Sequence, residues 1–395
     1  EATAAIERAM DLFALEIGKD AAEVRRMNLI PKFLEPHTTV VGQTYDVGDY
    51  ETALDKALDA ADYKALRAEQ AKRRASGDAK QLGIGVSVYV EITGGVGNGE
   101  SAKVEVLEDG RAVVYTGTSP HGQGHDTAWS MLVQEQTGIP MDRIELVWGD
   151  TDLVPVGTGT MGSRSLQQGG NAVFQVAGTL AEKAKSVAAR LLEVSEADVV
   201  LDKDRGAFHV VGTPAVTKTW ADLAVAEKST GGLLHDEVIN VSGATFPFGA
   251  HVAVVEVDTE TGRVKHLRQV ACDDAGKVLN PMLLDGQIHG GVAQGVAQAL
   301  LEEVLYDADG NPTTSNLADY GFISAAELPN VEVIHMETPT PVNAIGAKGI
   351  GESGTIGSTP AIQSAVVDAV SHLGVKHIEM PCTAERVWRA IQAAQ

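Results

Sequence analysis

Four glycine-rich segments punctuate the chain and set what it can fold into. They are His121-Gly-Gln-Gly-His-Asp-Thr127, Gly157-Thr-Gly-Thr-Met-Gly-Ser-Arg-Ser165, Asp285-Gly-Gln-Ile-His-Gly-Gly-Val-Ala-Gln-Gly295 and Gly346-Ala-Lys-Gly-Ile-Gly-Glu-Ser-Gly-Thr-Ile-Gly-Ser358. They form no collagen-like repeat. The first stands where a strand pattern ends and a helix pattern begins, the second precedes a long helix, and the fourth opens the last helix. A residue without Cβ lets backbone N–H groups approach a ligand and curl around an anion. A helix N-terminus adds unpaired donors and the positive end of its dipole. Gln, Ser, Thr and Lys in the same segments supply side-chain donors. Tight turns would explain any one segment alone. Four together predict a large, polar, phosphate-bearing cofactor held at several points.

Between these segments the hydrophobic period alternates. Residues 1–30 read as two short helices, the second opened by Asp20, and 49–75 as one amphipathic helix carrying Leu54, Ala57, Leu58, Ala61 and Leu66. Period-two patterns predict strands over 82–92, 101–107, 111–117, 143–148, 247–258, 263–272 and 331–336. Glu108-Asp109-Gly110 and Thr261-Gly262 mark hairpin turns. Helices are expected over 126–138, 171–194 and about 281–303, and another from the Ser358 cap and Pro360 to about Leu373. The expected fold is α+β. A helical leader (1–80) precedes two related mixed-sheet halves (81–235 and 236–395).

Composition narrows the function. A formal charge of −23 over 395 residues argues against nucleic acid, whose binders cluster Lys and Arg. No apolar run is long enough to span a bilayer. No signal peptide is visible at Glu1, and without an initiating Met the numbering is expected to begin inside a longer chain or at a processing point. Cys272 and Cys382 are the only cysteines, which fits a cytoplasmic protein and cannot ligate an iron–sulfur cluster that takes about four thiolates. Any redox chemistry therefore needs electron carriers on another chain.

Two other patterns in the sequence point elsewhere but lack their context. Gly349-x-Gly351-x-x-Gly354 matches a dinucleotide fingerprint, but that motif needs a strand just before it and an acid about 20 residues on. Pro339 and Pro341 precede it instead. His121 and His125 have the spacing of a helical zinc pair, but Gly122 and Gly124 disfavour a helix there and no third ligand is near in sequence.

The ordered set of motifs, with Gly-Asp-Thr-Asp at 149–152, resembles the xanthine oxidase and aldehyde oxidase superfamily. It is most similar to the large-chain type of carbon monoxide dehydrogenases and related aerobic hydroxylases. The resemblance implies molybdenum held by a pyranopterin, as the cytosine dinucleotide form, with no protein ligand to the metal. It assigns cofactor contacts to His121, Gly122, Gln123, Gly124, His125 and Thr127. It adds Gly162, Ser163, Arg164 and Ser165, then Gln287 and Gln294, and then Lys348, Gly349 and Gly351. Glu352 matches the family's active-site glutamate, the base that takes a proton while water-derived oxygen is added to the substrate. Lys348 is expected to pair with phosphate or with Glu352. Partners implied are an iron–sulfur subunit, an FAD subunit and the other half of the large subunit. That half carries a substrate-side loop, with a copper-binding cysteine in carbon monoxide dehydrogenases. The substrate class therefore spans carbon monoxide, aldehydes and N-heterocycles. The competing readings are a non-catalytic subunit of a heteromer without cofactor, and a nicotinamide-dependent dehydrogenase.

Overall fold

The computed structural model describes residues 1–95, 99–241 and 243–394. Two helices open it, α1 (Ala2–Glu16) and α2 (Ala21–Asn28). The Asp20 carboxylate accepts from the N–H groups of Ala22 and Glu23, donors that a helix start leaves unpaired. A short ribbon, β1 (His37–Thr38) and β2 (Thr44–Tyr45), follows. The helix expected over 49–75 is two, α3 (Tyr50–Ala61) and α4 (Tyr63–Ser76). Asp62 separates them in the left-handed region, with φ 51°. Asp tolerates that region better than most residues, so the break has a sequence basis the period does not show.

The chain continues through β3 (Lys80–Val90), β4 (Glu100–Val106), β5 (Ala112–Thr116), α5 (His125–Thr137), β6 (Ile144–Val147) and α6 (Asn171–Leu192). A small antiparallel sheet follows, of β7 (Val199–Asp202), β8 (Ala207–Val210) and β9 (Thr213–Thr219). Next come α7 (Trp220–Glu227), β10 (Leu233–Ile239), β11 (Phe248–Asp258), β12 (Val264–Asp274), α8 (Pro281–Leu300), β13 (Val331–Met336), α9 (Ser353–Val370) and α10 (Ala384–Ala394). Two larger sheets have the orders β10-β4-β5-β6 and β13-β12-β11-β3. Each is an antiparallel hairpin (β4–β5, β11–β12), a parallel strand on one side (β6, β13) and an antiparallel strand on the other (β10, β3). Along the chain each reads hairpin, helix, parallel strand, helix. The result is the mixed α+β architecture expected. The expected cuts at 81 and 235 fall inside β3 and β10, and β3 lies in the same sheet as β11–β13. Alternation locates a strand but not its partner, so the crossing strands were not visible.

The β3-containing sheet is buried on both faces. Val252 and Val254 of β11 pack with α3, while Ala253, Val255 and Val257 pack with α8 and α9, which is period two with a core on each side. Gly85 of β3 lets α9 close in, because a Cβ there would stand 1.9 Å from the Ala361 carbonyl oxygen. The other sheet packs Ala102, Val104, Val106 and Val114 against α5 and α6.

One helix start differs from expectation. α9 begins at Ser353, and Pro360 lies inside it. Its first bonds run from the N–H groups of Thr355 and Ile356 to the Glu352 carbonyl, each 3.1 Å. Proline is favoured at the first helical position but is also tolerated further in when the loss of one bond is offset by packing. The shift matters because it makes Glu352 the residue that caps α9.

Candidate active site

A cleft of about 690 Å³ lies where the two sheet units meet. Its walls come from the loop before α5, the loop before α6, the first turns of α8 and the loop before α9.

In the first segment Gly122 and Gly124 adopt φ 109° and 81°, which carries the chain from β5 into α5. The Gln123 side chain is held at both ends. Its Oε1 accepts from the His121 N–H, and its Nε2 donates to His125 Nε2 at 3.1 Å. The His125 ring stacks on Trp129 with centroids 4.4 Å apart. Burial, with His121 nearby, pushes its pKa down to about 4, so it is neutral near pH 7 and free to accept from Gln123. Among the described residues no group of three or more His, Cys, Asp or Glu is arranged to hold a metal ion. His121, Gly122, Gln123 and His125 line the cleft. Thr127 and Gly124 do not; the space a Gly124 Cβ would fill belongs to Leu283, 2.6 Å away.

In the second segment Gly162, Ser163, Arg164 and Ser165 all line the cleft. Ser163 is a non-glycine residue at φ 51°. The Arg164 guanidinium is buried. Its Nη1 donates to Glu100 Oε2 at 2.5 Å and to the Gly159 carbonyl at 2.8 Å. Its Nε and Nη2 have no partner among the described residues. Buried guanidinium donors left unpaired are costly, and the ion pair with Glu100 offsets part of that cost. A π-helical turn, Ser165–Gly170, then leads into α6, a feature frequent at functional sites.

The third segment departs from expectation. It lies within α8, where Gly291 and Gly295 serve packing against α9, a Cβ on Gly295 standing 2.0 Å from Ser358 Oγ, while Gly286 and Gly290 face open space. Gln287 lines the cleft. Gln294 lies two turns, roughly 10 Å, further along the helix and is exposed outside the cleft.

The fourth segment holds the second correction. Lys348 borders the cleft, but its ammonium is fully buried, 3.1 Å from Asp274 Oδ1 and 3.2 Å from Thr338 Oγ1. It neither pairs with Glu352 nor reaches out to a phosphate; it pins the loop to β12. Gly349 permits the closest approach in the site, since a Cβ there would stand 1.9 Å from the Ser163 carbonyl oxygen. Glu352 is exposed in the cleft. The Ser163 hydroxyl stands 2.9 Å from Glu352 Oε2 and accepts from the Glu352 N–H at 3.0 Å.

Two acidic residues that sequence reasoning passed over complete the site. Glu100 is the buried counter-charge of Arg164. Glu91 follows β3 and places its carboxyl behind Ser163, with Oε1 2.9 Å from Ser163 Oγ and Oε2 accepting from Ser353 Oγ at 2.6 Å. Burial is the main cause that raises its pKa from 4.5 to about 7. The signal available was an acid at the end of a strand otherwise made of apolar and small residues, Leu82 to Val90.

The described helices include none long and apolar enough to cross a membrane. The family model described as molybdopterin cofactor-binding domain matches residues 56–329. The carbon monoxide dehydrogenase large chain of Hydrogenophaga pseudoflava is 41% identical over 99% of this chain and 51% of its own length. Among solved structures, the Cu,Mo-CO dehydrogenase in its carbon monoxide reduced state superposes with a TM-score of 0.92 at 36% identity, covering 100% of this chain and 52% of that one. Quinoline 2-oxidoreductase from Pseudomonas putida 86 superposes with a TM-score of 0.89 at 33% identity, covering 99% and 52%. The chain thus spans about half the length of the curated relatives it matches. The chain belongs to the molybdopterin cofactor-binding domain family, in the form carried by carbon monoxide dehydrogenase large chains.

Proposed function

We propose that this chain supplies the cofactor-holding wall of a molybdenum hydroxylase large subunit, with Glu352 as the base of the reaction. The observation that carries the reading is the convergence on one cleft of Gln123, Ser163, Ser165, Gln287 and the Glu352 carboxyl. The donor set fits a polar, phosphate-bearing group, and the bound cofactor would supply two-electron redox chemistry at molybdenum. Gln123 and Gln287 would hold it by amide donors, Gly122 and Gly351 would admit it close to the backbone, and Gly349 would let the Ser163 loop close against the loop that carries Glu352. Lys348 would act indirectly, by fixing the loop that carries Glu352. Glu352 would orient the attacking water-derived oxygen and hold the proton it loses, a task for a carboxylate on a rigid turn.

The finer points belong to the same proposal. The cofactor is the cytosine dinucleotide form. The substrate is carbon monoxide, an aldehyde or an N-heterocycle, chosen by residues of the other half of the large subunit. Electrons leave through iron–sulfur and FAD subunits, since Cys272 and Cys382 are both buried and free. These reduced cysteines and the net charge of −23 suit the cytoplasm. The nicotinamide reading is disfavoured because β13 ends at Met336, well before Gly349, and Gly354 packs inside α9 against α8. Metal and pterin analysis of the complete protein tests the proposal against the cofactor-free alternative. About one molybdenum and one pterin nucleotide per chain are expected, and absence of both from active protein would overturn it.

A further inference from the structure

We propose that Glu91 is a positioning residue for Glu352: a protonated Glu91 carboxyl, acting through the Ser163 hydroxyl, holds the Glu352 carboxylate ready to accept a proton. The purpose given to the contact rests on the reading of Glu352 as a base; the contact itself does not.

Counting hydrogens leads to it. A serine hydroxyl has one hydrogen to give and two lone pairs to accept with. Ser163 Oγ has three neighbours: the Glu352 N–H at 3.0 Å, Glu352 Oε2 at 2.9 Å and Glu91 Oε1 at 2.9 Å. The N–H takes one lone pair. The single hydroxyl hydrogen serves one carboxyl oxygen. The other carboxyl oxygen must then bring its own hydrogen, because two bare oxygens at that distance repel. One of the two carboxyls is therefore protonated.

Environment selects which. Glu352 is exposed, whereas Glu91 is 7% exposed. Its Oε2 already accepts from Ser353 Oγ at 2.6 Å, which leaves the proton on Oε1, facing Ser163. The charged groups nearest Glu91 are both acids, Glu352 at the start of α9 and Asp273 on β12. Tyr89 on β3 donates to Asp273 at 2.6 Å, and His251 on β11 stands 3.0 Å from it. No Lys or Arg among the described residues pairs with Glu91. Burial and these neighbours lift its carboxyl to about 7, in keeping with a proton held near neutrality. The Ser163 backbone, at φ 51°, lies in a region serine seldom adopts, and the three contacts of its hydroxyl hold it there. When Glu91 ionises it releases its proton to solvent. The Ser163 hydrogen then turns inward, and Glu352 loses a donor and gains a negative neighbour.

The test is infrared spectroscopy of the complete protein in its native assembly, titrated across the range around pH 7. A deuterium-sensitive carboxylic-acid carbonyl band is expected below about 7, fading as pH rises through that value. It should be missing from Glu91→Gln, whose amide still donates to Ser163 and accepts from Ser353 but cannot ionise. In Ser163→Ala the band should persist at a shifted frequency, because its hydrogen-bond partner is gone. The pH dependence of kcat/KM that tracks the band in the parent protein should flatten in Glu91→Gln. An absent band, a band that survives Glu91→Gln, or a frequency untouched by Ser163→Ala each overturns the proposal. The band reads the Glu91 proton whatever the cofactor, so failure of the molybdenum reading would show separately, in metal content.

Discussion

Replacing Lys348 by Met decides whether this lysine serves the fold or the cofactor. The ammonium and the Asp274 carboxylate are both fully buried and 3.1 Å apart, so removing the cation leaves an uncompensated buried charge. Breaking such a pair costs about 3–5 kcal/mol. With an unfolding entropy of about 2.1 cal/mol/K per residue, 395 residues give about 0.8 kcal/mol/K. The Met variant should therefore melt about 4–6 °C lower. Burial already raises the Asp274 pKa, and the Lys348 charge opposes that rise. In the variant Asp274 takes up a proton more readily, so the deficit should shrink as pH falls. Lys348→Met with Asp274→Asn removes both charges and keeps an acceptor for the Gly276 N–H, which now bonds Asp274 at 3.0 Å. That double variant should regain all but about 1–2 kcal/mol. Calorimetry gives the melting temperatures, and molybdenum and pterin analysis gives the cofactor content. A drop of less than 1 °C, or a double variant that is stable yet loses its cofactor, would refute the structural role.

Three further outcomes are expected. Glu91 keeps its proton in the fold up to about 7 but releases it near 4.5 when unfolded. The stability this confers is full below about 4.5, declines as pH rises and is gone above about 7, roughly 3 kcal/mol in all. Glu91→Gln should remove that slope from denaturation curves measured across the range, and an unchanged slope would show Glu91 ionised throughout. Gly349→Ala forces a Cβ to within 1.9 Å of the Ser163 carbonyl oxygen and should cost about 1–3 kcal/mol with loss of cofactor, read by melting temperature and molybdenum content. Gln123→Ala removes the donor to His125 and should lower molybdenum occupancy with little change in melting temperature.

Much of this fold was legible because period and punctuation agree. The hairpins around Gly110 and Gly262 and the helices over 171–192 and 281–300 carry clear signals, and they appear where those signals fall. What was hidden depends on partners distant in sequence. Nothing in residues 80–90 says that β3 pairs with β11, some 170 residues on, while β4 does not. The same limit acts at the site. Glu352 and Gln123 stand in motifs, so they could be named from the sequence. Glu91 and Glu100 stand in none, and acquire meaning only from Ser163 and Arg164 against them. Lys348 and Gln294 show the limit from the other side. Each sits in a motif, but burial on Asp274 removes one from the cleft surface, and helix rise carries the other beyond it.

The central claim is that Glu352 moves a proton in a cleft built by other residues, and one substitution separates the two jobs. Glu352→Gln keeps the side chain's size and the backbone N–H that donates to Ser163, but removes the base. Molybdenum occupancy and the rate of single-turnover reduction by substrate are measured on the complete protein. Occupancy should be unchanged, and the rate per bound metal should fall by at least about 10²–10⁴-fold, roughly 3–5 kcal/mol of barrier. A variant that loses metal yet reduces at the normal rate per metal retained would make Glu352 a structural turn residue and contradict the account.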